Sequence, residues 1–241
     1  MNLWQNQVAL ITGGTRGIGK AISSHLASLG VEVWITGRAP SHELEEGVRG
    51  YLPVDFSNRE ETETFLEQVK TLKGLSILIN NAGINEIHEL CEFPAERYDQ
   101  IQEVNVRAPY RLIQAAAENM IAAGISGRMV NVASIWATHT KRGRSAYCTA
   151  KSAILGMTRA ASTDLAAHGI LVNALSPGFI QTELTENTLG PAGIKEMSAT
   201  VPLGRLGQPE EIASVASFLV SPKNTYLTGQ NIIVDGGFTN V

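Results

Sequence analysis

Short apolar runs of strand length alternate along this chain with longer segments whose apolar positions recur at helical spacing. Residues 8–11 (VALI) form the first buried-strand run, followed by a glycine-rich stretch and a helical pattern over 18–29. Runs at 31–36 and 51–54 predict strands two and three. Residues 58–72, rich in Glu, Gln, Lys and Leu, predict a helix, and 75–79 predict strand four. A long helical pattern from about 94 to 123 precedes strand five at 128–132. A helix rich in small residues follows at 145–167, then strand six at 170–175. Gln208-Pro209-Glu210-Glu211 opens a further helix with proline in its first turn, and 231–234 closes the sheet as strand seven. The alternation predicts an α/β fold of one domain over 1–241: a doubly wound, seven-stranded parallel sheet with helices on both faces.

Two stretches fit this scheme poorly. Residues 38–50 (RAPSHELEEGVRG) hold only a stub of a helix between strands two and three. Residues 179–201 are polar and interrupted by Gly190, Pro191 and Gly193. A long irregular segment inside a compact domain is usually functional or mobile, so a substrate lid is expected at about 179–201.

Composition narrows the function classes. With 241 residues, 44% hydrophobic and 17% charged, the chain is globular rather than disordered. A formal net charge of −4 argues against general nucleic-acid binding, which needs a basic surface. No apolar run reaches the ~18 residues of a membrane span, and the amino terminus lacks the layout of a secretion signal. Cys91 and Cys148 lack metal-ligand spacing, so no metal site and a reducing, cytoplasmic setting are expected.

The chemistry-bearing residues fall at the ends of predicted strands. Thr12-Gly13-Gly14-Thr15-Arg16-Gly17-Ile18-Gly19 follows strand one and opens a helix. Glycines there let a diphosphate approach the backbone, and the helix amino terminus offers N–H groups to the anion, as in a Rossmann dinucleotide site. An acid at the end of strand two would select NAD; this chain has Thr36-Gly37-Arg38 instead. Arg38, with Arg16 in the glycine-rich turn, suits a 2′-phosphate, so NADP(H) is the expected cofactor. Asp55 is placed to accept from the adenine amino group, and Asn80-Asn81-Ala82-Gly83 puts another small-residue turn at the same sheet edge.

Tyr147 and Lys151 are four apart in a helical segment and share a face, while Ser134 ends strand five. Lowering a phenol from a pKa of ~10 to about 7 takes ~4 kcal/mol. A lysine charge roughly 5 Å away, at an effective dielectric of about 20, supplies ~3 kcal/mol, and an oxidised nicotinamide can add the rest. Tyr147 is then the expected general acid/base, with Ser134 holding the substrate oxygen and Lys151 also holding the nicotinamide ribose. Asn105, mid-helix, is placed to anchor a water that relays protons to Lys151.

Together these residues resemble the short-chain dehydrogenase/reductase superfamily over the whole chain. The likeness rests on TGGTRGIG at 12–19, Asp55, NNAG at 80–83, Asn105, Ser134, YCTAK at 147–151, Asn173 and PGFIQT at 177–182. VPLGRLGQPEEIA at 201–213 and YLTGQNIIVDGG at 226–237 extend it to the carboxyl terminus. The resemblance implies catalytic Asn105, Ser134, Tyr147 and Lys151. It implies that Gly13, Thr15, Arg16, Gly17, Ile18, Gly19, Asn81, Ala82 and Gly83 hold the cofactor, with Pro177, Gly178, Ile180 and Thr182 near the nicotinamide. It also implies that the Ile180 backbone and Thr182 hydroxyl bond the carboxamide, and that the chain forms a homotetramer through its two long helices and carboxyl-terminal segment.

Substrate residues are less legible. Ile84, Asn85 and Glu86 follow NNAG, and Ile135 and Trp136 follow Ser134, which with the lid at 183–200 makes these the candidate pocket residues. The basic loop 139–144 (HTKRGR) suits an anionic substrate, although a solvated loop has the same composition. The resemblance is nearest to 3-oxoacyl-carrier-protein reductases, but His168 stands before Gly169 where those reductases favour Arg for carrier docking. Asn85, Glu86 and Trp136 equally suit a sugar, sugar acid or keto acid. A cofactor-sensing binding protein is a third reading, weakened by the intact Tyr147 and Lys151. His88 and Cys148 are expected to be packing or surface residues.

Overall fold

The computed structural model describes residues 3–241, without the side chains of Leu184 and Thr188. Seven parallel strands form one sheet in the order β3-β2-β1-β4-β5-β6-β7. They are β1 Val8–Ile11, β2 Glu32–Gly37, β3 Val48–Pro53, β4 Leu75–Asn80, β5 Arg128–Val132, β6 Leu171–Pro177 and β7 Asn231–Val234. The helices are α1 Gly17–Ser28, α2 Arg59–Thr71, α3 Ala95–Gln102, α4 Ala108–Ala122, α5 Ser145–Leu165, α6 Glu183–Ala199 and α7 Pro209–Val220. This is a single-domain Rossmann fold, and the order reverses direction between β1 and β4, where open α/β sheets bind ligands.

Strand alternation builds a core on each face. Ile11, Ile35, Ile79 and Val130 point one way and meet Ile22 and Leu26 of α1 and Ile212 and Leu219 of α7. Leu10, Leu78, Met129 and Val172 point the other way, against Phe65 and Leu66 of α2 and Leu112 and Met120 of α4. Strands covered on both sides read as continuous apolar runs, which is why VALI and LSILIN stand out in the sequence. Helix starts follow local chemistry: the Asn58 side chain accepts from the Glu60 and Glu61 amides to begin α2, and Glu211 reaches back to the Gln208 amide (2.8 Å) to begin α7.

Three stretches depart from the expected pattern. Residues 38–47 contain no helix. Pro40 interrupts any regular turn, and the coil is held by Tyr51 Oη donating to the Ala39 carbonyl and by a Lys20–Glu45 ion pair at 2.8 Å. The pattern over 94–123 is two helices, α3 and α4, joined by a π-turn at Glu103–Arg107. The expected irregular segment at 179–201 is largely helix α6, broken at Gly190, whose φ of 61° and ψ of 178° suit only glycine. Among the described residues, no helix is long and apolar enough to cross a membrane.

At the carboxyl edge of the sheet, Thr12 clasps β1 to the end of β4. Its Oγ1 accepts from the amides of Asn81 (2.9 Å) and Ala82 (3.0 Å), while Asn81 Nδ2 donates to the carbonyls of Thr12 and Gly13. Thr36 adds a third strand by accepting from the Gly13 amide at 3.2 Å. Replacing Thr12 by the near-isosteric Val leaves two largely buried amides without an acceptor. Thr12→Val is expected to lower stability by about 2 kcal/mol in urea unfolding and to raise the KM for cofactor. Unchanged values for both would show that the clasp has no part in holding the turn.

Candidate active site

A cavity of about 340 Å³ lies along the carboxyl edge of β1, β2 and β4. Its walls include the predicted cofactor residues Gly13, Thr15, Arg16, Gly17, Ile18, Gly19, Arg38, Asp55, Asn81, Ala82, Gly83 and Thr182. The backbone fits a diphosphate. No side chain caps the amino terminus of α1, so its first-turn amides keep their donors, and a Cβ on Gly19 would sit 2.2 Å from the Gly13 carbonyl oxygen. Arg16 and Arg38 are both exposed on this cavity, and neither forms an ion pair among the described residues. Asp55 is already engaged, its Oδ1 accepting from the Ser57 amide (2.9 Å) and hydroxyl (2.8 Å).

The predicted catalytic residues gather beyond Gly83. A Cβ on that glycine would lie 3.1 Å from Asn105 Oδ1 and 3.7 Å from Lys151 Nζ, so Gly83 keeps open the path between the cavity and the lysine. Lys151 is 4% exposed and donates to the Val132 carbonyl at 2.8 Å, with its Nζ 5.6 Å from the centre of the Tyr147 ring. Ser134, two residues beyond that carbonyl, is buried beside the Tyr147 hydroxyl, and its Oγ accepts from the Trp136 amide. Asn105 lies in the π-turn with its side chain bonded to Ile84, accepting from the amide (2.9 Å) and donating to the carbonyl (2.8 Å).

Pro177 ends β6 and Gly178 follows it, where a Cβ on Gly178 would meet Asp235 Cα at 2.7 Å. Thr182 begins α6, its hydroxyl accepting from the Thr185 amide, and the Ile180 carbonyl accepts from the Thr185 hydroxyl. The candidate substrate residues separate. Asn85 is exposed. Glu86 is ion-paired to Arg97 and lies 3.5 Å from His88. Ile135 and Trp136 are buried, at 1% and 9% exposure. In the basic loop, Arg142 pairs with Glu89 at 2.6 Å, and Arg144 lies over the Trp136 ring. Thr12 and Thr36 shape the site and escaped the reading of the sequence, although Thr12 was part of the matched motif. No group of His, Cys, Asp and Glu able to hold a metal is found among the described residues.

A sequence model of the family described as Enoyl-(Acyl carrier protein) reductase matches residues 13–239. The chain is a short-chain dehydrogenase/reductase. It is 37% identical to a 3-oxoacyl-[acyl-carrier-protein] reductase of Vibrio cholerae, covering 98% of each chain. Among solved structures it is similar to an NADP-bound protein of Agrobacterium tumefaciens described as a 2-deoxy-D-gluconate 3-dehydrogenase, with TM-score 0.87 and 33% identity over 98% of this chain and 97% of that one. It is also similar to an NADP-bound protein of Beutenbergia cavernae described as an NAD(P)-dependent gluconate 5-dehydrogenase, with TM-score 0.89 and 30% identity over 98% and 97%. As a member of this family the chain is an oxidoreductase acting on CH–OH or C=O groups of a small molecule, with NAD(P) as its cofactor class.

The electrostatics of the short-chain reductase site differ from the expected depression of Tyr147. Burial pushes the Tyr147 phenol up to about 12, with the Ser134 hydroxyl and the Arg144 charge pulling down and Cys148 pushing up. Burial also pulls Lys151 down to about 8. Desolvation therefore outweighs the Ser134 and Arg144 contributions, and the chain's own groups keep Tyr147 as a neutral phenol, able to donate a proton.

The buried lysine makes stability depend on pH. Its folded pKa of about 8 lies below the ordinary 10.5, so below pH 8 the folded state carries a buried ammonium at full cost. Between those values the unfolded state binds more protons, stability rises with pH, and above 10.5 the penalty is gone. Lys151→Met is expected to be inactive and, in urea at pH 7, more stable by up to about 3 kcal/mol, with the gain shrinking towards pH 10. A less stable Met protein at pH 7 would mean that the bond to Val132 outweighs desolvation.

Proposed function

We propose that the chain is an NADP(H)-dependent ketone reductase in which Tyr147 is the general acid/base. The observation that carries this is the placement of a neutral Tyr147 phenol beside Ser134, with the buried Lys151 next to Gly83 at the end of the dinucleotide cavity. NADPH bound in that cavity supplies the hydride. Tyr147 gives its proton to the carbonyl oxygen as the carbonyl carbon gains hydride, so ketone and NADPH become secondary alcohol and NADP⁺. Ser134 donates to the same oxygen and stabilises its developing charge. Lys151 holds the ribose and stabilises the phenolate left behind, and the Asn105 π-turn positions the water that reprotonates it.

Arg16 and Arg38, exposed on the cavity and free of carboxylates, support NADP(H) over NAD(H). The likeness to the Vibrio cholerae enzyme supports a 3-oxoacyl thioester, on a carrier protein or CoA, as substrate. A keto-sugar acid or keto acid is the second reading, favoured by the two NADP-bound sugar-acid neighbours and by the exposed amide of Asn85. We assign the lid to α6 with its break at Gly190. A homotetramer through α4, α5 and the carboxyl-terminal segment accounts for Tyr110 and Tyr226, which are 51% and 96% exposed. Two free cysteines suit a reducing compartment such as the cytoplasm.

NADPH is expected to exceed NADH at least about tenfold in kcat/KM, and Arg38→Ala to remove most of that preference, worth ~1.4 kcal/mol. Equal use of both cofactors by the unmodified protein would refute the assignment. In steady-state assays Tyr147→Phe is expected to lose at least about a thousandfold in kcat with unchanged thermal stability. Reduction at the unmodified rate by that variant would remove the mechanism.

A further inference from the structure

The basic loop 139–144 places three strong cations near the site, and the structure separates them. Lys141 is exposed, and Arg142 is exposed and committed to Glu89 at 2.6 Å. Arg144 differs from both: it is partly buried, forms no ion pair among the described residues, and holds its guanidinium 5.8 Å above the centre of the Trp136 ring. The indole cannot swing away, because its ring packs edge-on against Phe179 (6.0 Å) and Phe238 (6.4 Å), which themselves pack at 4.9 Å. A guanidinium resting on a fixed aromatic face keeps its edge donors free for a planar anion.

Arg144 immediately precedes the first residue of α5, and Tyr147 lies three residues further on. The Arg144 guanidinium is close enough for its charge to act on the Tyr147 phenol. Trp136, the platform, is two residues beyond Ser134, so cation and proton donor are held by the same two elements. An anion on Arg144 therefore lies within the span of a short carbon skeleton from a carbonyl on Tyr147. The phosphate of a phosphopantetheine thioester is a whole arm's length from its 3-oxo carbon and does not meet that spacing.

We propose that Arg144, seated on Trp136, anchors a carboxylate of the substrate, so that the ketones this enzyme reduces are short keto acids, sugar acids included. The proposal rests on the assignment of Tyr147 as the acid that protonates the carbonyl oxygen. It selects between the two substrate readings above by charge and length. Arg144 also pulls the Tyr147 phenol down through its charge, alongside the Ser134 hydrogen bond and against Cys148, with Lys151 over the ring, so a purely electrostatic role must be told apart from anchoring.

The test compares acids with their own methyl esters, which keep the carbonyl and remove the charge. With NADPH, short 2-, 3- and 5-keto acids, their methyl esters, a neutral diketone and an acetoacetyl thioester are assayed on the full chain. At least one acid is expected to exceed its ester by about 30-fold or more in kcat/KM, through KM. Arg144→Leu should collapse that ratio to within about threefold of unity, with Arg144→Lys restoring part of it, and thermal melting of each variant monitors folding. An unmodified enzyme that takes ester or thioester as well as acid overturns the anchor while leaving the reductase intact. Equal loss on acid and ester in Arg144→Leu, with a shifted pH profile of kcat, overturns it in favour of tuning of Tyr147. NADPH binding with no turnover of any of these ketones overturns the reductase assignment as well.

Discussion

A buried ammonium governs the geometry of this site. Lys151 is nearly removed from water, and a charge in that position is tolerable only with a fixed acceptor, which the Val132 carbonyl provides at 2.8 Å. That bond pins α5 to the end of β5, two residues before Ser134 and one helical turn after Tyr147. A second tie between the same elements, Asn131 Nδ2 to Thr158 Oγ1 at 3.0 Å, lies one strand residue earlier and two helical turns later. Strand and helix cannot slide past each other without breaking both, so the two hydroxyls of the site have little freedom in their separation.

The same constraint is passed across the sheet. Asn80 at the end of β4 donates to Asn131 Oδ1 at 2.9 Å, and Asn173 of β6 donates to Leu227 and accepts from Gln230. Thr12 and Asn81 then join β4 to β1 and the glycine-rich turn. Polar side chains inside a parallel sheet are costly unless paired, and here the pairing runs from the dinucleotide cavity to the helix that carries Tyr147. The cavity and the Tyr147 phenol are therefore held on one frame.

Much of this was legible in the sequence, because strands covered on both faces must be apolar throughout and helices between them must repeat near 3.6. The runs at 8–11, 75–79 and 231–234 needed no tertiary knowledge, and neither did Tyr147 and Lys151, whose four-residue spacing has one meaning on a helix. What escaped depends on partners distant in the chain. Thr12 meets Asn81 across 69 positions, and nothing local distinguishes it from any threonine after a strand. The pairing of Glu86 with Arg97 and the packing of Trp136 against Phe179 and Phe238 likewise join residues that are not neighbours in the chain. The stub of helix after Arg38 is a coil because its fixings, Tyr51 and Lys20, lie on other elements. The upward push on Tyr147 in the chain alone was not legible either: periodicity shows that a lysine is near but not how much water both groups have lost.

The break in α6 has a consequence for how this protein can diverge. At Gly190 a Cβ would meet nothing within 4 Å, so the residue is kept for its backbone angles and not for want of room. The turns before it begin at Thr182 beside Gly17. A half-buried joint with open space around its Cα tolerates added or deleted residues better than the helical turns on either side. Differences in chain length among relatives should therefore accumulate at 190–193, where the turns after the break can be lengthened or exchanged while the dinucleotide-facing end stays in register.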